Sequence, residues 1–142
     1  IRYVKDRLRG RGSLIAGTGA IGTRETIDLT RDAEEAGAEA ALVLPPFFIK
    51  PSDMEVYQHF TSLAASVDFP LIFYNVPKFT GYGVPPMVVN KIADEHSNLV
   101  GIKDSSGSPG NMAENIKLFD SKINVLSGAA DMTLPTLTRA RG

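Results

Sequence analysis

The 142 residues predict an α/β fold in which parallel strands alternate with crossover helices. Three observations carry that expectation. Five short apolar runs punctuate the chain, stretches with helical start and stop signals separate them, and matching strand ends recur at Gly17, Pro45, Tyr74 and Lys103, in steps of 28, 29 and 29 residues. A step of that size is one strand, one helix and their connections. Two architectures repeat such a unit, an open doubly wound sheet and a (β/α)8 barrel. A complete barrel needs about 250 residues, so the chain would supply a central portion of about five strands, with units missing on either side.

The strands are expected at "SLIAG" (13 to 17), "AALVL" (40 to 44), "LIFYN" (71 to 75), "LVGIK" (99 to 103) and "INVLS" (123 to 127). None alternates apolar with polar residues, and continuous apolarity of this length marks strands buried on both faces of a parallel sheet. "TRETIDLTRDAEEAGA" reads as a helix with Thr23 as N-cap, Ile27, Ala33 and Ala36 towards one side, and Gly37 as its stop. "SDMEVYQHFTSLAASV" opens on Ser52 and Glu55, a capping box in which each side chain satisfies an amide of the first turn. "PPMVVNKIADEH" and "SPGNMAENIKLFD" carry prolines where a first turn tolerates them.

Composition narrows the function classes. A net charge of -1 and a pI near 6.1 leave no electrostatic footprint for nucleic acid or an anionic membrane. The apolar runs fall far short of the roughly 20 residues of a membrane span. The chain has no cysteine, hence no disulfide framework or thiolate site, which accords with a cytoplasmic location. It opens on "IRYVKDRLRGRG" with neither an initiator Met nor a signal-peptide pattern, and reads as a segment already in mid-fold, one domain over 1–142.

The strand ends hold the chemistry-bearing residues. They exit into Gly17-Thr18-Gly19, Pro45-Pro46-Phe47-Phe48, Tyr74-Asn75, Lys103-Asp104-Ser105 and Ser127-Gly128, and ligands of α/β folds bind at the carboxyl ends of the strands. Lys103 ends an apolar run. An amine in a low-dielectric pocket loses the solvation of its charged form and becomes a nucleophile towards a carbonyl; alternatively the side chain snorkels to water or pairs with Asp104. Tyr74 occupies the equivalent register one unit earlier, where its phenol would shuttle a proton, or else sit as a core tyrosine with a backbone partner. Adjacent parallel strands would bring both tips to one ligand.

Other motifs carry less. "GTGAIG" (17 to 22) has the G-x-G-x-x-G spacing of a dinucleotide fingerprint, but Leu44-Pro45-Pro46 stands where its acidic partner belongs, so the glycines are read as allowing close backbone approach. His59 and His96 lie on predicted helices without spaced partners, and no metal site is expected. Asp32, Glu34 and Glu35 read as a solvated helix face.

The segments "IAGTGAIGTRETIDLT", "GAEAALVLPPFFIKPS", "FYNVPKFTG", "GIKDSSG" and "LSGAAD" together resemble the class I, Schiff-base-forming aldolases that include dihydrodipicolinate synthase and N-acetylneuraminate lyase. They keep that family's order and spacing over nearly the whole chain. The resemblance implies a (β/α)8 TIM barrel that forms homo-oligomers, dimers or tetramers, acts on pyruvate or a keto acid and needs no cofactor or metal. It implies that Lys103 forms the imine, that Tyr74 relays the proton, and that Thr18, Gly19, Ser127 and Gly128 line the pocket. The family's carboxylate-binding G-T-[TS]-G-E loop, one strand before residue 1, has no counterpart here.

Two positions depart from the dihydrodipicolinate synthase pattern. Phe48 stands where that branch has a relay tyrosine, and Phe79 where it has an arginine for the aldehyde's carboxylate; a benzyl group does neither job. "PKFTG" with "KDSSG" resembles the sugar-acid branch, in which Thr80 and Ser105 would bond substrate hydroxyls and 2-keto-3-deoxy acids would be cleaved to pyruvate and an aldehyde. That cleavage is the main expectation. Condensation of pyruvate with aspartate semialdehyde is the alternative, and a non-catalytic barrel relative a second alternative.

Overall fold

The computed structural model describes residues 1–119, 122–132 and 134. Asp120, the last residue of the fourth expected helix, lies outside them. The elements run α1 (Arg2–Leu8), β1 (Ile15–Gly17), α2 (Thr23–Glu35), β2 (Ala40–Val43), α3 (Asp53–Ser66), β3 (Leu71–Asn75), α4 (Pro77–Thr80), α5 (Pro86–Glu95), β4 (Leu99–Asp104), α6 (Pro109–Phe119), β5 (Asn124–Ser127) and a 3-10 turn (Ala130–Met132). Each of the five strands lies within two residues of its apolar run. Two helices were not expected. α1 buries no residue, so it has no apolar stripe to read, and α4 is a single turn opened by Pro77 and closed by Gly81 in a left-handed conformation, φ 85°.

All five strands are parallel, and their spatial order is their chain order. A doubly wound sheet reverses direction at a switch point and puts helices on both faces. Here there is no reversal, and consecutive helices pack on one another as a single layer, α2 on α3, α3 on α5 and α5 on α6. This is the arrangement of a (β/α)8 barrel, of which the five strands form part.

The core lies between the sheet and that helical layer. Val43, Phe73 and Ile102 of the strands meet Phe60, Ile92 and Phe119 of the helices, and Phe60 stacks tilted on Phe73 with ring centroids 4.3 Å apart. Because successive strand residues face opposite ways, Leu42, Ile72, Tyr74, Lys103 and Leu126 share the other face. That face is open at its edges: Ile15 is 46% and Leu126 40% exposed, whereas Ile72 between them is 6% exposed. The expectation of strands buried on both faces holds for β3, where all but Tyr74 is buried, and is corrected for the edge strands β1 and β5. Within this chain one face packs on helices, and the other, the interior of a closed barrel, has only these five strands to cover it.

Two caps show how local sequence sets the helix ends. The Ser52 hydroxyl accepts from Glu55 N while Glu55 Oε2 accepts from Ser52 N at 2.7 Å, completing the expected capping box. α2 ends as expected at Gly37, φ 89°, where Ala38 N donates to Ala33 O at 3.0 Å. Its start differs. Gly22 is the N-cap and Thr23 the first helical residue, its hydroxyl 2.9 Å from His59 Nδ1 of α3. The buried stripe of α2 is Thr26, Thr30 and Ala33, with Ile27 packed at its margin, while Asp32, Glu34 and Glu35 are exposed.

Candidate active site at the strand ends

Tyr74 and Lys103 are direct partners across the β3–β4 ladder. Both leave the sheet on its open face, both are half-buried, and the Lys103 Nζ lies 4.2 Å above the centroid of the Tyr74 ring. At that range the ring's negative face attracts an ammonium. The same placement sets the lysine nitrogen beside a phenol ring at the carboxyl ends of two adjacent strands.

Asp104 is not the partner of Lys103. It points the opposite way, into the helix layer, and is 2% exposed. Its Oδ1 accepts from Ser106 N at 2.8 Å and from Asn75 Nδ2 at 3.4 Å, and its Oδ2 accepts from Asn115 Nδ2 at 3.0 Å. With the carboxylate occupied behind the sheet, the lysine lies against the tyrosine ring. Nothing in the sequence pattern singled out Asn75 or Asn115; only a polar residue directly after each site residue hinted at Asn75 and Asp104.

The remaining residues sort by the face they occupy. Thr18 is buried with its hydroxyl 2.9 Å from that of Thr30, on the α2 side. Ser127, partner of Asp104 in the ladder, donates its hydroxyl to Ala129 O at 2.9 Å. The Thr80 hydroxyl is 2.7 Å from Tyr82 O and 3.2 Å from Val76 O, and the residue is 5% exposed. These three hydroxyls are engaged by the protein itself.

Gly19, Ser105 and Gly128 are placed by close packing. A Cβ at Gly19 would lie 2.6 Å from Leu44 N, so the first loop passes against the end of β2 as only glycine allows. A Cβ at Gly128 would lie 1.8 Å from Ser105 Oγ, which is buried without a hydrogen-bond partner among the described residues. Phe48 and Phe79 are 92% and 74% exposed, and Phe48 holds a left-handed φ of 72°, costly for an aromatic residue. The loop bearing Phe48 is joined to the segment after α4 where Tyr82 Oη donates to Pro46 O, and burial pushes the Tyr82 phenol up to about 12.

An apolar groove of about 440 Å³, lined by Met54, Tyr57, Met87 and Val88, lies between α3 and α5 on the helical side and holds none of these residues. Among the described residues no helix is long and apolar enough to cross a membrane.

The fold and the pair together define a partial (β/α)8 barrel that carries a lysine and a tyrosine side by side at its strand ends. The chain belongs to the dihydrodipicolinate synthetase family, an enzyme family whose model matches residues 1–140. It is 45% identical over 138 residues to the 4-hydroxy-tetrahydrodipicolinate synthase of Syntrophus aciditrophicus, an alignment covering 97% of this chain and 47% of the relative. Among solved structures, the chloride-inhibited dihydrodipicolinate synthase of Acinetobacter baumannii complexed with pyruvate matches with a TM-score of 0.93 at 36% identity, over 97% of this chain and 47% of that one. YagE, a prophage protein of the same family from E. coli K12 in complex with pyruvate, matches with a TM-score of 0.92 at 33% identity, over 98% and 48%. The chain spans about half the length of each.

Proposed function

We propose that the chain is the central part of a pyruvate-dependent class I lyase, in which Lys103 forms an imine with the keto carbon of pyruvate or a pyruvyl substrate. The observation that carries the reading is the Tyr74–Lys103 pair, partners on adjacent strands with the nitrogen 4.2 Å from the ring centroid. The neutral amine adds to the carbonyl, and loss of water leaves the imine. Once protonated, the imine draws electrons from the adjacent carbon, which then gives up a proton or a carbon–carbon bond to form an enamine. Tyr74, beside the nitrogen, carries protons to and from the adduct.

For the second substrate, condensation with aspartate semialdehyde is the better supported reading, because the curated relative with 45% identity carries the name 4-hydroxy-tetrahydrodipicolinate synthase. Cleavage of 2-keto-3-deoxy sugar acids is the second reading. Phe48 and Phe79 favour it, since neither can relay a proton or pair with the semialdehyde's carboxylate. In the full-length protein, which we take to be a complete barrel, a homo-oligomer and cytoplasmic, Thr18, Gly19, Ser127 and Gly128 contribute to the pocket mainly through backbone.

Borohydride reduction with pyruvate in the full-length protein tests the imine. A reduced pyruvyl adduct on Lys103, lost in Lys103→Ala, is expected; no adduct, or one undiminished by the substitution, overturns the reading. Pyruvate binding without turnover of any keto acid or aldehyde would instead mark a non-catalytic relative. Following pyruvate with aspartate semialdehyde against a panel of keto-deoxy acids separates the two substrates.

A further inference from the structure

We propose that Asp104, with Asn75 and Asn115, is a positioning unit that holds Tyr74 and Lys103 in register from behind the sheet, an inference that rests on the imine reading of Lys103. Asn75 and Asp104 directly follow the two site residues and are themselves partners in the same ladder, one step along and on the opposite face. They are 4% and 2% exposed, and Asn115 is 1% exposed. The Asp104 carboxylate gathers Ser106 N, Asn75 Nδ2 and Asn115 Nδ2. Asn75 Oδ1 in turn accepts from Val84 N at 3.3 Å, just ahead of α5. One carboxylate therefore ties the ends of both site strands to α6, and through Asn75 to the approach to α5.

The cluster is an expensive way to fill space. A buried carboxylate without a cation costs more than an apolar side chain of its size, even when hydrogen-bonded, and no salt bridge to Asp104 is formed among the described residues. What the donors supply is direction. Three N–H groups fix the carboxylate, and with it the backbone at Asp104; side-chain alternation then fixes how Lys103 leaves the other face. Asn75 does the same for Tyr74. Asn115 Oδ1 has no partner among the described residues, so this asparagine serves as a donor only. A lysine and a tyrosine that must act on one carbonyl tolerate little misplacement, since about 1 Å can cost on the order of a hundredfold in rate.

The test uses the full-length protein and the rate of imine trapping with saturating pyruvate. Asn115→Asp removes the Nδ2 donor and sets a second carboxylate against that of Asp104. Trapping at pH 8 should slow by about tenfold or more. The swap Asp104→Asn with Asn115→Asp keeps every donor opposite an acceptor, and should return trapping to within about threefold of wild type. If Asn115→Asp traps normally at pH 8, or if the swap folds yet remains about tenfold slow, the positioning role is overturned. If Asn115→Asp does not fold, the swap alone decides by the same limits. Absence of trapping in the wild type would instead overturn the imine reading itself.

Discussion

The Lys103 nitrogen stands over the face of the Tyr74 ring, 4.2 Å from its centroid, and the two residues are joined by the same β3–β4 ladder. The tyrosine thus presents its π face to the amine, and in the proposed reaction its phenol serves the substrate.

Tyr74→Phe separates the two roles. The ring face remains, so borohydride should still trap pyruvate on Lys103. The proton donor is gone, and turnover should fall by about 10²- to 10⁴-fold, the range of a lost general acid–base group. Equal loss of trapping and turnover would show that the phenol is needed before the imine forms.

Phe79→Arg tests the second substrate. An arginine pairs with a carboxylate through two parallel hydrogen bonds, worth about 1.5 to 3 kcal/mol when charge-assisted. If the enzyme condenses pyruvate with aspartate semialdehyde, kcat/KM for the semialdehyde should rise by about tenfold. No gain there, with activity retained on a keto-deoxy acid, would favour the sugar-acid reading.

His59 gives a pH signature. Burial lowers its pKa from 6.5 to about 4, so the folded protein keeps the ring neutral, with Nδ1 at the Thr23 hydroxyl and Nε2 buried. The unfolded chain takes up the proton near 6.5. The group is therefore neutral in effect above about pH 6.5 and destabilises the fold as the pH falls towards 4, by up to roughly 3 kcal/mol. Urea midpoints should drop between pH 7 and pH 5, and His59→Asn should flatten that slope.

Gly19→Ala should destabilise the chain without touching the lysine. The added methyl would meet Leu44 N at 2.6 Å and Leu44 Cβ at 2.9 Å, and backbone must yield. A loss of about 1 to 3 kcal/mol is expected, read from the urea midpoint. An unchanged midpoint would show that the loop after β1 moves freely.

Much of the fold is legible in local chemistry. The capping box of Ser52 and Glu55, the glycine stop at Gly37 and the apolar runs that became β1 to β5 depend on neighbours within a few residues, and each formed where those neighbours dictate. The spacing of Tyr74 and Lys103 likewise made them candidates for one pocket, because a repeated unit returns each strand end to the same level.

What the residues alone leave open is direction. An apolar strand buried on one face or on two has the same composition, so the run ending at Lys103 could not show that Leu126 would lie exposed beside it while Ile102 faced Phe73. Nor could it reveal that Asp104 would turn from its neighbour to Asn115, or that Thr18, Thr80 and Ser127 would spend their hydroxyls on the protein itself. Those outcomes belong to the tertiary structure. Strand order and helix placement decide which side of each pleat meets solvent, and a polar side chain bonds to whatever donor that packing brings within reach.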